Sequence, residues 1–276
     1  FTCDRAAQAV IVDFHSHTCE SDGTLTPQEL ADFMGERHVE IFSVSDHDTL
    51  TAFGKFTPPP GAYVVTGVEI NTTYRGNEVH LLGYGMPPDS PELLATIEHN
   101  RDARRVRAQR MVDQLQRAGY GITFEDVLAQ AAGAKALGRP HVAKALIAKG
   151  HVPDIDYAFR NLLRSGKPGY VPSLHITPQE AIERITAAGG VPVLAHPGRL
   201  KDRVLIDELA PNGLRGLEVF YPLHDAEDVR IFRELAKRYG LVMTAGMDFH
   251  DIRYHTRGVG IDVAREDIAP FLELVT

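Results

Sequence analysis

The chain has 276 residues and a formal net charge of -8. That length suits one large α/β domain, or one domain with a modest insertion, and the negative balance leaves no global basic field for generic binding to duplex nucleic acid. With 43% hydrophobic and 24% charged residues, the composition excludes long disorder. Two cysteines, Cys3 and Cys19, make no disulfide framework and favour a reducing compartment. No apolar run approaches the roughly 20 residues of a membrane span. The opening "FTCDRAAQAV" lacks an initiating Met and a signal-peptide shape and reads as trimmed. The expected setting is cytoplasmic.

In chain order, "AVIVDF" is the first short β-branched run and reads as a strand. A helix follows over 26–38, with Thr26 as N-cap and Pro27 at the first position. "EIFSVS", "AYVVTGVEI" and "EVHLLGYG" are the next strands. From about 90 to 166 the pattern turns helical, with one long helix over 91–119 and shorter ones near 123–133, 139–150 and 154–164. The chain returns through "GKPGYVP" to a helix over 178–188, the strand "VPVLAH", the strand "LRGLEVF", a helix over 224–239 and the strand "LVMTAG". Strand–helix alternation points to a mainly parallel sheet or barrel over 10–89 and 167–276, with 90–166 as a helical insertion.

The strand ends carry the chemistry. "VDFHSHTCESDGTL" places His15, His17 and Asp22 after the first strand. "SVSDHDTL" supplies Asp46, His47 and Asp48, "VTGVEINT" supplies Glu69, and "NEVHLLG" supplies His80. "VLAHPGR" supplies His196, and "TAGMDFH" supplies Asp248 and His250. At the C-terminal rim of a barrel, side chains from successive strand ends converge on one cavity. Residues two apart in extended chain point the same way, so both members of "HSH" or "DFH" reach one site. Imidazole and carboxylate suit zinc, manganese or iron. A phosphoester needs such a cluster, because two or more ions polarise phosphoryl oxygens and generate hydroxide at neutral pH. Taken singly, a residue such as His80 is more often a satisfied core or turn histidine. The joint occurrence at successive strand ends is what argues for a metal site.

In this order, "DFHSHTCESDG", "SVSDHDT", "GVEI", "VHLLGYG", "HPGR" and "GMDFH" resemble the polymerase and histidinol phosphatase (PHP) family, and more narrowly its stand-alone bacterial members that act on nucleotides and RNA 5′ ends. The resemblance runs from Asp13 to His250 and implies an α/β fold, a distorted seven-stranded (β/α) barrel with two or three divalent ions (Mn, Zn or Fe) at its C-terminal rim. It implies that His15, His17, Glu69 and Asp248 hold one ion, that Glu69 bridges to a second held by His80 and His196, and that Asp22, His47 and His250 hold a third. Some members have a His in place of Asp22, and an oxygen ligand there should hold its ion more weakly.

Anionic substrates also need protein cations. Arg199 sits beside His196 at the rim as a candidate phosphate clamp, since the fork of Arg suits phosphate. "GRPH" (Arg139, His141) opens a predicted helix and "SGKPGYV" (Lys167, Tyr170) offers a cation and a ring to stack on a base; both phrases are similar to ones in the nucleotide-cleaving branch of the family. The bland alternatives are a helix cap and a connecting loop. Arg101, Arg104 and Arg105 share one helix side, as a substrate-facing strip or as solvated surface. Asp46 is a candidate to orient a ligand His or assist proton transfer, and His250 or a third ion to steady the leaving oxygen. The expected activity is metal-dependent hydrolysis of small nucleotide phosphoesters or short 5′-phosphorylated RNA by a monomer, with no duplex DNA and no membrane as partner. Histidinol phosphate hydrolysis is the enzymatic alternative, and would call for an acidic contact to the substrate amine. A non-catalytic metal-stabilised module is the other, and would call for lost ligands.

Overall fold

The computed structural model describes residues 9–173, 175–253 and 257–276; Cys3 lies outside them. Seven strands wrap around one interior: β1 (Ala9–Asp13), β2 (Ile41–Val44), β3 (Tyr63–Tyr74), β4 (Asn77–Tyr84), β5 (Val191–Leu194), β6 (Gly216–Phe220) and β7 (Val242–Ala245). β8 (Ile261–Ala264) extends the sheet, whose order is β7-β6-β5-β4-β3-β2-β1-β8. The wrap nearly closes where Phe14 N–H donates to Ala245 O at 2.8 Å and His17 N–H to Phe249 O at 2.8 Å. This is the expected seven-stranded barrel with one addition. β8 pairs antiparallel along most of β1, from Ala9 opposite Ala264 to Val12 opposite Ile261.

β4 runs antiparallel to both neighbours, so the sheet is not uniformly parallel. This reversal matters for His80, which was expected near a strand's C-terminal end. In a reversed strand it is the N-terminal half that reaches the rim, and His80 stands there opposite Asn71 of β3.

Alternation sorts side chains between two faces. Val10, Val12 and Phe14, Leu82 and Tyr84, and Val193 share a buried interior cluster. Leu81, Leu194, Leu217 and Val219, one residue out of phase, join the second layer with α6 (Pro178–Ala187), α7 (Val204–Leu209) and α8 (Ala226–Tyr239). A last helix, α9 (Arg265–Val275), sets Phe271 edge-on to Phe14 and Tyr84, at centroid distances of 4.9 and 5.1 Å. Capping boxes start α1 (Pro27–Glu36) at Thr26 with Glu29 and α6 at Thr177 with Glu180, each followed by Pro at the first position.

The inserted helices are α2 (Pro91–Arg117), α3 (Phe124–Ala131), α4 (Arg139–Ala148) and α5 (Ile155–Ala158), which continues as a π turn over Phe159–Leu163. At 27 residues, α2 is about 40 Å long and serves two cores. Leu93 and Ile97 pack with the barrel helices, whereas Met111, Val112 and Leu115 pack with Val127, Val142, Leu146 and Leu163 in a cluster of their own. Between these halves lies a buried ion pair, Arg104 Nε to Asp48 Oδ2 at 2.5 Å. Asn100 Nδ2 adds a bond to Asp48 Oδ1 at 2.7 Å. Among the described residues no helix is long and apolar enough to cross a membrane.

Candidate metal centre and substrate cleft

The nine candidate ligands meet at the C-terminal mouth of the barrel. One nitrogen or oxygen each from His15, His17, Glu69 and Asp248 lie within 4.8 Å of one another. So do atoms of His17, Asp22, His47 and His250, and atoms of His47, Glu69 and His80. The first set is the one expected. The other two differ: His17 joins the third set, and His47 stands where His196 was expected in the second. His196 still reaches the shared carboxylate, with Nε2 3.3 Å from Glu69 Oε1. Its backbone and that of Asp248 are left-handed, φ 30° and 52°, a strained conformation for non-glycine residues that aims both side chains at the cluster.

The residues fit metal ions by a geometric test. His15 Nε2 and His17 Nε2 lie 3.2 Å from Glu69 Oε2 and 3.4 and 3.3 Å from Asp248 Oδ1. These are four of the six edges of a tetrahedron, and one with edges of about 3.3 Å has its centre about 2.0 Å from each corner, the length of a zinc–nitrogen or zinc–oxygen bond. Although close, His15 Nε2, His17 Nε2 and Glu69 Oε2 form no hydrogen bond of acceptable angle, and all are buried. Buried polar atoms are otherwise almost always paired. Converging unpaired lone pairs are what a cation requires.

In the absence of an ion, protons compete for the same lone pairs. Burial raises the cost of charge on Asp22, Glu69 and Asp248, yet the surrounding imidazoles hold all three well below the usual carboxylate range. Burial opposes charge on His17 as well, but Asp248 and Glu69 push its pKa up to about 10. For His47 burial wins, and its pKa falls to about 4.

A residue that sequence reasoning missed organises this cluster. Glu218, fully buried in β6, takes a bond from His15 Nδ1 at 2.9 Å and from His196 N–H at 2.7 Å. With Nδ1 donating, the tautomer leaves the His15 Nε2 lone pair facing Glu69 and Asp248. Gly246 makes room, since a Cβ there would lie 2.3 Å from His15 Cβ and 2.7 Å from Glu218 Oε1. The available signal was a lone acid in "GLEVF", because a charge in a wholly buried strand must have partners.

Several candidates take other positions than expected. The Asp46 carboxylate accepts from Thr18 N–H at 2.7 Å, Thr18 Oγ1 at 2.6 Å and Ser21 Oγ at 2.6 Å. It clamps the loop that carries Asp22, and no imidazole is among these partners. His141 is buried and its Nδ1 accepts from Gly138 N–H at 3.0 Å, which makes it a cap of α4. Lys167 is exposed in a turn outside the cleft lining, and Tyr170 lines an outer groove. Local chain geometry explains both: "GKPG" closes a turn through Lys167 N–H to Arg164 O at 3.0 Å.

Arg199 stands at the rim as expected, donating to Asp248 Oδ2 at 3.2 Å and Tyr221 Oη at 3.3 Å with 56% of its side chain exposed. Arg104 and Arg139 line the cleft. Arg101 instead bonds Lys135 O at 2.8 Å, and Arg105 lies over the Phe124 ring. His250 stacks on His17 at 4.0 Å and sets Nε2 3.3 Å from Asp22 Oδ1. Arg107, from the same arginine-rich helix, also lines the cleft, as do Asn71 and Glu78, neither of which was singled out from sequence.

No family model matches the chain. A curated relative, the 3′,5′-nucleoside bisphosphate phosphatase of Chromobacterium violaceum, is 33% identical over 94% of this chain and 93% of its own. The 5′-3′ exoribonuclease Rnm of Escherichia coli is 31% identical over 88% of this chain and 86% of its own. Among solved structures, a protein of Bifidobacterium adolescentis described as a metal-dependent phosphoesterase superposes with a TM-score of 0.78, at 32% identity, covering 88% of this chain and 89% of its own. Fold and site together define a hydrolase of phosphoric esters that depends on metal ions. The chain belongs to the PHP family of phosphoesterases.

Proposed function

We propose that this protein hydrolyses small nucleotide phosphoesters, with 3′,5′-bisphosphonucleosides as the leading substrates, using two or three divalent ions (Mn, Zn or Fe). The observation that carries this reading is the convergence of nine His, Asp and Glu side chains, four of which (His15, His17, His47 and Glu69) leave buried polar atoms unpaired. The similarity to a bisphosphate phosphatase supports the substrate class. His15, His17, Glu69 and Asp248 would hold one ion, His80, His47 and His196 a second through the shared Glu69, and Asp22, His47, His250 and His17 a third. Bound ions supply Lewis acidity toward phosphoryl oxygens and lower the pKa of water. Arg199 holds Asp248 with one nitrogen and offers the rest of its fork to phosphate. Residues 90–166 act as a cap over the barrel mouth, with Arg104 at the junction. The enzyme works as a monomer in the cytoplasm and not on duplex DNA, in keeping with its net charge of -8.

A second reading, stepwise removal of nucleotides from 5′-phosphorylated RNA, is favoured by the outer groove. It shares His80, Arg107, Arg139 and Arg199 with the cleft and continues past Arg164, Tyr170, Arg75 and Lys201. Histidinol phosphate is disfavoured, because Glu78, the acid that lines the cleft outside the metal cluster among the described residues, already faces two arginines. The non-catalytic alternative expects lost ligands, and all nine positions are filled. The test is phosphate release in Mn from adenosine 3′,5′-bisphosphate, AMP and a 5′-phosphorylated RNA oligomer. Fast release from the bisphosphate supports the first reading and shortening of the oligomer the second. No turnover of any of them overturns both.

A further inference from the structure

The turn that carries His196 and Arg199 is fastened to β6 on both sides of its strained residue. His196 is left-handed, φ 30° and ψ 60°, and Pro197–Arg199 follow as a tight turn closed by Arg199 N–H to His196 O at 2.9 Å. Such a conformation persists only where its surroundings over-determine it. On the N-terminal side the anchor is Glu218, which accepts from His196 N–H at 2.7 Å. On the C-terminal side it is His224, from the loop between β6 and α8. Its Nδ1 donates to Val219 O of β6 at 2.9 Å, and its Nε2 accepts from Gly198 N–H at 3.1 Å. Only the tautomer with the proton on Nδ1 serves both bonds. The approach is close: a Cβ on Gly198 would lie 2.6 Å from His224 Cδ2 and 2.8 Å from Nε2. Phe232 and Tyr221 flank the ring at centroid distances of 4.8 and 5.1 Å. Tyr221 carries the contact on, its Oη donating to Asp248 Oδ2 at 3.1 Å and accepting from Arg199 Nη1 at 3.3 Å.

We propose that His224 is a positioning residue of the hydrolase: its imidazole latches the turn over 196–199 to β6, and so aims His196 at Glu69 and Arg199 across Asp248. This rests on the phosphoesterase reading and adds a residue on which the site depends from outside it. His224 lines neither the cleft nor the outer groove, so it acts through the turn and touches no substrate. A ring that only filled space beside Phe232 would need its volume alone. A latch needs an acceptor where Nε2 stands, because the Gly198 N–H it takes belongs to a turn whose three residues have no other tie to β6 backbone. With the acceptor gone, the turn keeps Glu218 on one side only, and the left-handed His196 is free to relax.

The test compares His224→Gln, whose amide oxygen reaches about where Nε2 stands, with His224→Met, which has similar length and volume but no such acceptor. Three quantities are read: amide exchange at Gly198, stepwise zinc affinity against a chromophoric chelator, and kcat/KM for adenosine 3′,5′-bisphosphate. In His224→Met, Gly198 should exchange about tenfold faster than in wild type, and one zinc step should weaken about tenfold while the others hold. kcat/KM should fall by a similar factor, and His224→Gln should restore most of all three. Gly198→Ala keeps the imidazole but drives it off the turn, and should reproduce the Met result, which covers a Met variant that fails to fold. Gln and Met variants with equal zinc affinities, whether both lowered or both unchanged, would overturn the latch. Zinc and exchange results as expected, in a protein whose wild type turns over no phosphoester, would instead overturn the phosphoesterase reading and leave the latch standing.

Discussion

Replacing Glu218 by Gln probes the metal centre without changing its shape. The native carboxylate accepts twice, from His15 Nδ1 at 2.9 Å and from His196 N–H at 2.7 Å. An amide has one acceptor oxygen, so Gln cannot serve both. If its oxygen meets His196 N–H, its NH2 faces His15 Nδ1, and the ring moves its proton to Nε2, where no lone pair is left for an ion. If its oxygen meets His15, two donors collide at His196. Loss of such a supporting partner costs about 10–100-fold in metal affinity, or about 1.4–2.8 kcal/mol. Glu218→Ala leaves two buried donors unpaired and should also destabilise the metal-free protein by about 2–6 kcal/mol. Competition of Zn or Mn against a chromophoric chelator measures the first effect, and denaturant unfolding of apo-protein the second. Wild-type metal affinity in Glu218→Gln would refute the tautomer argument.

Arg104→Met should destabilise the protein by about 3–5 kcal/mol, because Asp48 is left as a buried uncompensated charge. The double variant with Asp48→Asn should recover much of that in urea unfolding, and additive losses would show the pair to be uncoupled. Asp46→Ala removes three bonds from the loop over 18–22 and should weaken metal binding at Asp22 by about tenfold, with the His15 centre less affected; two-site calorimetry that shows no change at either centre would contradict the clamp. His175 offers a pH test. Burial, aided by the Arg104 charge, lowers its pKa from 6.5 to about 3, so the unfolded chain takes up a proton first and folded-state stability falls as pH drops from 6.5 toward 3. His175→Gln should lose less stability across that window, and urea midpoints that fall in parallel would rule the ring out.

Much of this protein was legible in its sequence for a local reason. Short β-branched runs and Thr–Pro caps are set by neighbouring residues, so β1 to β7, α1, α6 and the inserted helices could be placed in outline. The ligand types were legible as well, since His15, His17, His47, Asp248 and His250 lie within five residues of a strand's end. β8, α7 and α9 were missed: two are only four and six residues long, and the pairing of β8 with β1 joins segments some 250 residues apart in sequence. What the tertiary structure alone decided is who meets whom. The reversal of β4 put His80 and Glu78 at the mouth, and the inward phase of β6 put Glu218 behind His15 and His196. His141 looked like a ligand contact because helix starts suit anions, but its ring caps α4, and Lys167 stands exposed in a turn outside the cleft lining. Residue type and spacing specify what chemistry a chain can offer; strand direction and phase, which depend on distant partners, decide where it is spent.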